Sequence, residues 1–215
     1  MTTRREARPA SVPAVRRGAA LDVAQLPSYG FGTRSLMWWG TAGMCVIEGV
    51  AFGFMIVIYF YLRALNPAWP AAGSGASPDL FWGTVNAVLI LLSAIPNTWI
   101  DRSAIDQDLR KVRLGLVALS FFGLALLIVR WLEFLHLNVR GDESAYGSVV
   151  WMLLGLHTFN LVTDFGDTLV LTVLMGKGPL EGKRFVDVAE NSGYWDFVVV
   201  TWLPIYAVVY WAPRF

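Results

Sequence analysis

The sequence is poor in the residues from which disulfides, metal cages and haem ligand pairs are built. It contains a single cysteine, Cys45, and only two histidines, His136 and His157. A lone cysteine excludes an internal disulfide, and inside an apolar run it is interpreted as a small interior residue. No nucleophile, metal cage or phosphate-binding glycine loop stands out. The sequence therefore argues against an enzyme that works alone.

Charged residues are also scarce, at 15% of the chain, whereas hydrophobic residues make up 56% and the mean hydropathy is +0.53. This balance is far from that of a soluble domain and indicates a membrane protein. A helix needs roughly 20 apolar residues to cross the hydrocarbon core. Five stretches meet this length: 36–62, 80–100, 114–139, 145–175 and 194–212. The predicted fold is all-α, a polytopic membrane protein with five transmembrane helices, and no nucleic-acid partner is expected.

Residues 1–34 differ from the rest of the chain. They are rich in arginine, alanine and proline, and they contain no apolar stretch long enough for a signal-peptide core. We interpret them as a flexible basic cytoplasmic arm that precedes a transmembrane domain at 35–215. The arm carries six arginines. Each arginine that reaches anionic headgroups contributes about 1 kcal/mol of attraction.

The distribution of basic residues predicts the orientation of the helices. If the N-terminus is cytoplasmic, the arm and the segments 101–113 and 176–193 hold thirteen basic residues, and the outer segments hold three. Basic residues concentrate on the cytoplasmic side of membrane proteins. The N-terminus is therefore predicted to be cytoplasmic and the C-terminus periplasmic or otherwise outside. The expected location is the bacterial inner membrane, which the chain crosses several times.

Ionisable residues at membrane depth are candidate functional residues, because lipid tails solvate them poorly. Glu48 lies in the first span, where its neighbours along the chain are apolar and leave it isolated. Two interpretations stay open. Glu48 is either a proton-handling group or a neutral acid that hydrogen-bonds a neighbouring helix or subunit.

The segment GLHTFNLVTDFGDT places four polar residues in the fourth span: His157, Asn160, Asp164 and Asp167. At 100° per residue they lie within an arc of about 80°, so they form one polar stripe. Such a stripe must face protein, water or lipid headgroups. Its two ends are about 15 Å apart along the helix, too far for one metal ion to collect all four. Contacts to other helices or to lipid are expected, and no metal.

The remaining candidates lie in the third and fifth spans. Arg130 and Glu133 are three residues apart and can pair on one face of a helix. Trp195 and Asp196 lie at the start of the fifth span. All four are predicted to contact other helices or lipid. The two histidines of the chain are ill matched as a haem ligand pair, so the chain is expected to carry no redox centre.

Five motifs, read in order, carry a resemblance to a known family. They are MCVIEGVAFGF, NAVLILLSA, RWLEF, AYGSVVWMLLGLHTFNL and GYWDFVVVTWLPIYAVVYWAP. Each is short, but together and in this order they resemble subunit III of the haem-copper cytochrome c oxidases, from about residue 36 to the C-terminus. The resemblance places Glu48 on the position at which family members bind carbodiimide. It also places Glu133 on a glutamate of the family pattern.

The sequence departs from the family pattern at several polar positions. Arg130 stands in place of a glutamine and Asn160 in place of a second histidine. Asp196 stands in place of a histidine that follows the tryptophan matched by Trp195. Many family members have seven helices, whereas five are predicted here. We interpret the chain as a divergent five-helix member in which the two aspartates of the polar stripe replace lost polar groups.

The resemblance implies a subunit that holds no metal and catalyses nothing by itself. Haem and copper are expected in a partner, the catalytic subunit I, with subunit II and phospholipid as further partners. The implied role is to stabilise the catalytic subunit of a terminal oxidase of aerobic respiration, to bind lipid and to support proton uptake. The alternative is an accessory subunit of a nitric oxide reductase-type complex. A free-standing transporter or proton channel fits less well, because no internal repeat is evident.

Overall fold

The computed structural model describes residues 29–66, 68–70, 77–177 and 182–215. Most of them belong to five helices: α1 (Leu36–Leu65), α2 (Leu80–Ile105), α3 (Leu109–Leu135), α4 (Ala145–Gly176) and α5 (Lys183–Tyr206). All five are long and apolar enough to cross a membrane, and the described ranges contain no strand. The prediction of an all-α chain with five membrane-spanning helices is confirmed.

Four of the helices begin at a side chain that accepts a hydrogen bond from the first turn. Ser35 caps α1, Asp79 caps α2, Asp108 caps α3 and Ser144 caps α4. Short polar side chains at this position satisfy backbone N–H groups that have no partner inside the helix. The ammonium group of Lys111 also hydrogen-bonds Asp108, and this contact lowers the pKa of the Asp108 carboxyl. The caps fix where each span begins.

Helices α2 to α5 form a bundle in which α2 packs against α3 and α5, and α4 packs against the same two helices. Helix α1 lies outside this bundle, against α4 and α5, and buries only Phe52 and Tyr59. Large apolar side chains cover the rest of α1, and Ile47 is 73% exposed. An apolar outer surface of this kind suits lipid tails or another membrane helix.

The helices alternate in direction, so α1, α3 and α5 begin at the same end of the bundle. We call this the proximal end and the opposite one the distal end. One prediction was wrong at the proximal end. Helix α5 begins at Lys183, not at residue 194, because its polar first turns conceal a buried face that includes Phe185 and Val188. The segment 101–113, which lies between two predicted spans, is mostly helical, and only 106–108 separate α2 from α3.

At the distal end the chain leaves α-helical geometry shortly after Pro204. A π-helical turn at Ala207–Trp211 follows α5, and a 3-10 turn at Ala212–Arg214 follows that. Irregular turns in membrane helices persist where neighbouring groups satisfy the freed backbone. Arg63 does so here, because its Nη1 donates to the Ala212 carbonyl at 2.9 Å. The π-helical turn carries Tyr210 into the bundle interior.

The predicted arm at 1–34 lies mostly outside the described residues. Its last part, from residue 29, contacts the proximal end. Gly32–Arg34 form a 3-10 turn before α1. The Tyr29 hydroxyl accepts a hydrogen bond from Gln107 Nε2 at 3.3 Å. Residues 29–34 therefore contribute to the proximal surface of the bundle.

Candidate functional site

Two clusters of polar side chains that join helices around a glutamate lie at different depths in the bundle. The cluster nearer the distal end is named the Glu133 cluster, and it joins Asn86, Arg130, Glu133, His157 and Tyr210. The cluster nearer the proximal end is named the Glu48 cluster, and it joins Glu48, Asn160 and Tyr194. Each cluster connects at least three helices.

The Glu133 cluster is built on a buried ion pair within α3. Arg130 Nη1 lies 3.0 Å from Glu133 Oε2, and both side chains are 1% exposed. The contact is ionic without the alignment of a hydrogen bond. The guanidinium carbon lies 4.1 Å from the centroid of the Trp202 ring, an arrangement that favours a cation over the ring face. The two charges are therefore desolvated together and compensate each other.

Two residues from other parts of the bundle donate hydrogen bonds to the Glu133 carboxylate. Asn86 of α2 donates from Nδ2 to Glu133 Oε2 at 2.9 Å. The Tyr210 hydroxyl, in the π-helical turn after α5, donates to Glu133 Oε1. A buried carboxylate is stable only when donors satisfy its oxygens. Glu133 thus holds α2, α3 and the end of α5 together.

His157 extends this cluster to α4. Arg130 Nη2 lies 3.1 Å from His157 Nδ1, and His157 Nε2 lies 3.0 Å from the Val198 carbonyl oxygen. A guanidinium only donates and a carbonyl only accepts, so Nδ1 accepts and Nε2 carries the proton. The imidazole is neutral in this arrangement. Because both nitrogens are engaged, His157 has none left for a metal ion.

The Glu48 cluster connects α1 to α4 and α5. Glu48 Oε2 accepts a hydrogen bond from Asn160 Nδ2 at 3.1 Å and another from the Tyr194 hydroxyl at 2.7 Å. Glu48 has apolar neighbours along the chain, and its hydrogen-bond partners come from two adjacent helices, as one of the two interpretations of the sequence expected. Glu48 itself is partly exposed. Its carboxylate therefore has partners inside the chain and an open side as well.

The polar stripe of α4 does not act as one unit. His157 belongs to the Glu133 cluster and Asn160 to the Glu48 cluster. Asp164 is 1% exposed, and its Oδ2 has no hydrogen-bond partner within the described ranges. Asp167 is exposed. The stripe divides because one edge of it faces the bundle interior and the other edge faces α1. Its last member, Asp167, faces neither of them.

Trp195 and Asp196, at the predicted start of the fifth span, lie inside α5 and have partners on α2. Trp195 Nε1 donates to Ser93 Oγ at 2.9 Å, and the ring is fully buried. Asn97 Nδ2 donates to Asp196 Oδ1 at 2.8 Å and to the Ser192 carbonyl at 2.9 Å. Both residues thus connect α5 to α2.

A cavity of about 410 Å³ adjoins Asp196 toward the proximal end. Its lining includes the carboxyl groups of Asp101, Glu190 and Asp196, and we call it the acidic cavity. Cys45, one helical turn before Glu48, also lines it. The acidic cavity therefore approaches the Glu48 cluster along α1.

Several partners in these clusters were not identified from the sequence. Asn86 and Asn97 are the clearest examples, since both are fully buried amides in an apolar span. They are eleven residues apart, about three helical turns, so they lie on one face of α2. That spacing is a detectable signal of a helix that faces polar groups. Tyr194 and Tyr210 carry no such signal, because tyrosine is common near the ends of membrane helices.

The clusters supply hydrogen bonds that join the helices. They also supply carboxyl groups, which are able to exchange protons. Among residues 29–66, 68–70, 77–177 and 182–215, no group of three or more His, Cys, Asp or Glu side chains is arranged to hold a metal ion. The Glu133 cluster is closed, because each charged group faces its counter-charge inside the bundle. The Glu48 cluster and the acidic cavity are open to a partner, to lipid or to water.

Comparison with known proteins identifies the family. The family model described as cytochrome c oxidase subunit III matches residues 34–213. Cytochrome c oxidase subunit 3 of Triticum aestivum is 23% identical over 172 residues, which cover 77% of this chain and 65% of the wheat protein. The chain thus spans about two thirds of the length of that relative.

Shorter relatives are covered more fully. Cytochrome c oxidase subunit 3 of Thermostichus vulcanus is 24% identical over 173 residues, or 79% of this chain and 84% of that protein. The subunit 3 of a Synechocystis species is 25% identical over 182 residues, or 83% of this chain and 77% of that protein. The resemblance carried by the five motifs is confirmed, and the chain belongs to the cytochrome c oxidase subunit III family.

Proposed function

We propose that the chain is a metal-free accessory subunit of a haem-copper terminal oxidase in aerobic respiration. In this role it lies in the membrane beside subunit I and subunit II, which carry the haem and copper, and it catalyses nothing by itself. The observation that carries the proposal is the family match over residues 34–213. The polar clusters support it, because their side chains are engaged in joining helices.

The Glu133 cluster fits a stabilising role. It ties α2, α3, α4 and the turn after α5 into one arrangement through buried contacts. Removing one member of a buried ion pair typically costs about 3–5 kcal/mol, because the other charge is left uncompensated. A bundle fixed in this way presents a constant outer surface to the catalytic subunit. Stabilisation of that subunit follows from a rigid shared interface.

Support of proton uptake is assigned to the proximal half of the chain. Asp101, Glu190 and Asp196 give the acidic cavity carboxyl groups that can exchange protons. Glu48 lies one turn beyond the cavity wall formed by Cys45. We therefore retain Glu48 as the residue for proton handling or subunit contact. The remaining stripe residues, Asp164 and Asp167, are proposed to contact helices or lipid.

The orientation and location belong to the same proposal. The thirteen basic residues predicted on one side support a cytoplasmic N-terminus, with the proximal end facing the cytoplasm of a bacterial cell. The C-terminus then lies outside. Residues 1–34 are proposed as a basic arm and 35–215 as the membrane domain. Phospholipid is the expected ligand of the outer helix surfaces.

The proposal is tested by purifying the chain with whatever accompanies it. A C-terminal tag is added, native membranes are extracted in mild detergent, and the reduced-minus-oxidised spectrum and partner masses are recorded. We expect haem bands and a large partner with many helices. Haem bands typical of a nitric oxide reductase would instead support the alternative complex. A colourless protein without partner would contradict the accessory role and favour independent transport.

A matched variant controls for recovery of unfolded protein. Glu133→Lys places two like charges at the centre of the Glu133 cluster and removes the acceptor of Asn86 and Tyr210. We expect this variant to lose the haem-containing partner, while the tag remains detectable in membranes. Equal haem recovery from both forms would show that co-purification does not depend on the folded bundle.

A further inference from the structure

The acidic cavity contains three carboxyl groups that no basic side chain of its lining compensates. Asp101 comes from the last turns of α2, and Glu190 and Asp196 come from α5. The described residues that line this space of about 410 Å³ include no arginine, lysine or histidine. Like charges around one poorly solvated space repel each other, and a cation placed between them removes the repulsion. The acidic cavity therefore favours a positively charged occupant.

Glu190 is the carboxyl group of this lining that most needs a partner. It is 7% exposed, and within the described ranges it forms no ion pair and no hydrogen bond. The charged groups that act on it are those of Asp101 and Asp187, which are both acidic. A buried carboxylate without donors is costly, and the donors of a cation offset that cost. Glu190 thus offers the cavity an acceptor that has no donor.

The rest of the lining favours an organic cation over a metal ion. Phe31 and Trp38 contribute aromatic rings, and an indole ring attracts a cation to its face. In the part of the chain that the structure describes, no group of three or more His, Cys, Asp or Glu side chains is arranged to hold a metal ion. A guanidinium is planar, always charged and able to stack on a ring while it donates to carboxylates. It therefore matches this lining better than an ammonium group or a metal ion does.

The chain itself carries guanidinium groups shortly before the cavity. Phe31 and Gly32, which precede α1, line the acidic cavity. Residues 1–28 lie outside the described residues and carry five arginines and two acids. Arg17 stands fourteen residues before Phe31, and an extended segment of that length spans up to about 50 Å. A group tethered in this way has an effective concentration in the mM range. The arginines of residues 1–28 are thus within reach of the cavity.

We propose that an arginine side chain of residues 1–28 docks in the acidic cavity of its own chain. The guanidinium donates to Glu190 and Asp101 and lies against the Trp38 ring. While it is docked, it neutralises the carboxyl groups and keeps water away from them. Its release exposes them again, so docking regulates access to the acidic cavity. The docking itself stands apart from the proposed function, whereas its effect on protons rests on the proton-uptake part of that function.

Cys45 reports on the occupancy of the cavity, because it lines the cavity and is the only cysteine of the chain. The full chain is extracted with its partners in mild detergent and treated with iodoacetamide. Alkylation of the peptide that contains Cys45 is followed over time by mass spectrometry. The arginine variant combines five substitutions: Arg4→Gln, Arg5→Gln, Arg8→Gln, Arg16→Gln and Arg17→Gln.

We expect Cys45 of the arginine variant to be alkylated about tenfold faster than in the wild type, the change produced by a contact worth about 1.4 kcal/mol. Loss of positive charge near a thiol would by itself slow the reaction, because it disfavours the reactive thiolate. A faster reaction therefore reports a cavity that has opened. Equal rates in the two proteins would overturn the proposal.

Two single substitutions locate the contact. Glu190→Gln removes the carboxylate to which the arginine donates, so in this background the five arginine substitutions should change the Cys45 rate by less than about twofold. Asp106→Asn removes an exposed acid at the same end that does not line the cavity, and in this background the full increase should remain. An increase that persists undiminished with Glu190→Gln would place the arginine elsewhere and refute the docking.

Ionic strength tests the same contact without any substitution. Salt screens exposed charges, so raising NaCl from about 0.05 M to about 1 M should speed alkylation of Cys45 in the wild type. An unchanged rate would contradict the proposal. If Cys45 becomes reactive only after the partner subunits are removed, a partner fills the cavity and the proposal is wrong.

The haem spectrum of the same preparation reports on the accessory role independently. A haem-containing complex in which the Cys45 rate does not depend on the arginines refutes only this inference. A haem-free chain in which the arginines protect Cys45 refutes only the oxidase assignment.

Discussion

Replacing one member of the Arg130–Glu133 pair is expected to destabilise the bundle more than replacing both. Both side chains are 1% exposed and 3.0 Å apart. Arg130→Met leaves a buried carboxylate without its counter-charge, and such a change costs about 3–5 kcal/mol of the free energy of unfolding. Glu133→Gln leaves the guanidinium with His157 and the Trp202 ring as its remaining neighbours. Its cost falls in the same range.

The double variant Arg130→Met/Glu133→Gln contains no uncompensated charge. Glutamine still offers an oxygen to Asn86 or Tyr210, so the main loss is the donor to His157 Nδ1. A buried acceptor left without its donor costs about 1–3 kcal/mol. We therefore expect the double variant to lose about 2 kcal/mol, less than either single variant. The difference from additivity measures the coupling between the two charges.

The assay is unfolding in mixed detergent micelles, followed by tryptophan fluorescence, for the wild type and the three variants. The exposed pair of Arg140 and Glu143 is the matched control, at 3.1 Å with side chains 69% and 50% exposed. Its equivalent variants should show no measurable change, since water already solvates both groups. If the effects of Arg130→Met and Glu133→Gln simply add in the double variant, the electrostatic reasoning is refuted.

Two other substitutions test specific contacts. Glu48→Gln keeps an oxygen for the Tyr194 hydroxyl and should leave the amount of assembled protein in membranes nearly unchanged, whereas Glu48→Lys should reduce it; equal amounts on an immunoblot would contradict this. Gly83→Ala places a methyl group inside the Tyr210 ring and should cost about 1–3 kcal/mol in the same unfolding assay. Gly53→Ala, which meets no atom within 4 Å, should be neutral or stabilising, and equal effects of the two would argue against the packing at Gly83.

The number and type of helices could be predicted because the requirement is set by the membrane. A crossing of about 30 Å needs roughly 20 apolar residues, and each predicted stretch contains or overlaps an observed helix. The start of α5 was predicted incorrectly, because the membrane sets no such requirement for the part of a helix outside the hydrocarbon core. Helices continue beyond the hydrocarbon into the headgroup region, where polar residues are tolerated. The polar segment from Lys183 onward is helical for this reason, although it resembles a loop.

The polar stripe shows what a single sequence does not contain. A helical wheel gives the direction of each side chain on its own helix and does not identify the helix that faces it. His157 and Asn160 are about 60° apart on α4. That angle is enough to direct His157 toward α3 and Asn160 toward α1. The residue types were informative, whereas their grouping depended on the packing of α1 against the bundle.

The contrast between the two halves of the bundle follows from which polar groups are left without partners. In the distal half, the charges of Arg130 and Glu133 face each other and are buried, so the interior of this half offers no free charge. In the proximal half, Asp167 and Asp196 are exposed and Glu48 is partly exposed. Charged groups near lipid tails must be covered by protein, headgroups or water. The buried charges of the distal half therefore hold the helices together, whereas the carboxyl groups of Glu48, Asp167 and Asp196 in the proximal half stay accessible from outside the bundle.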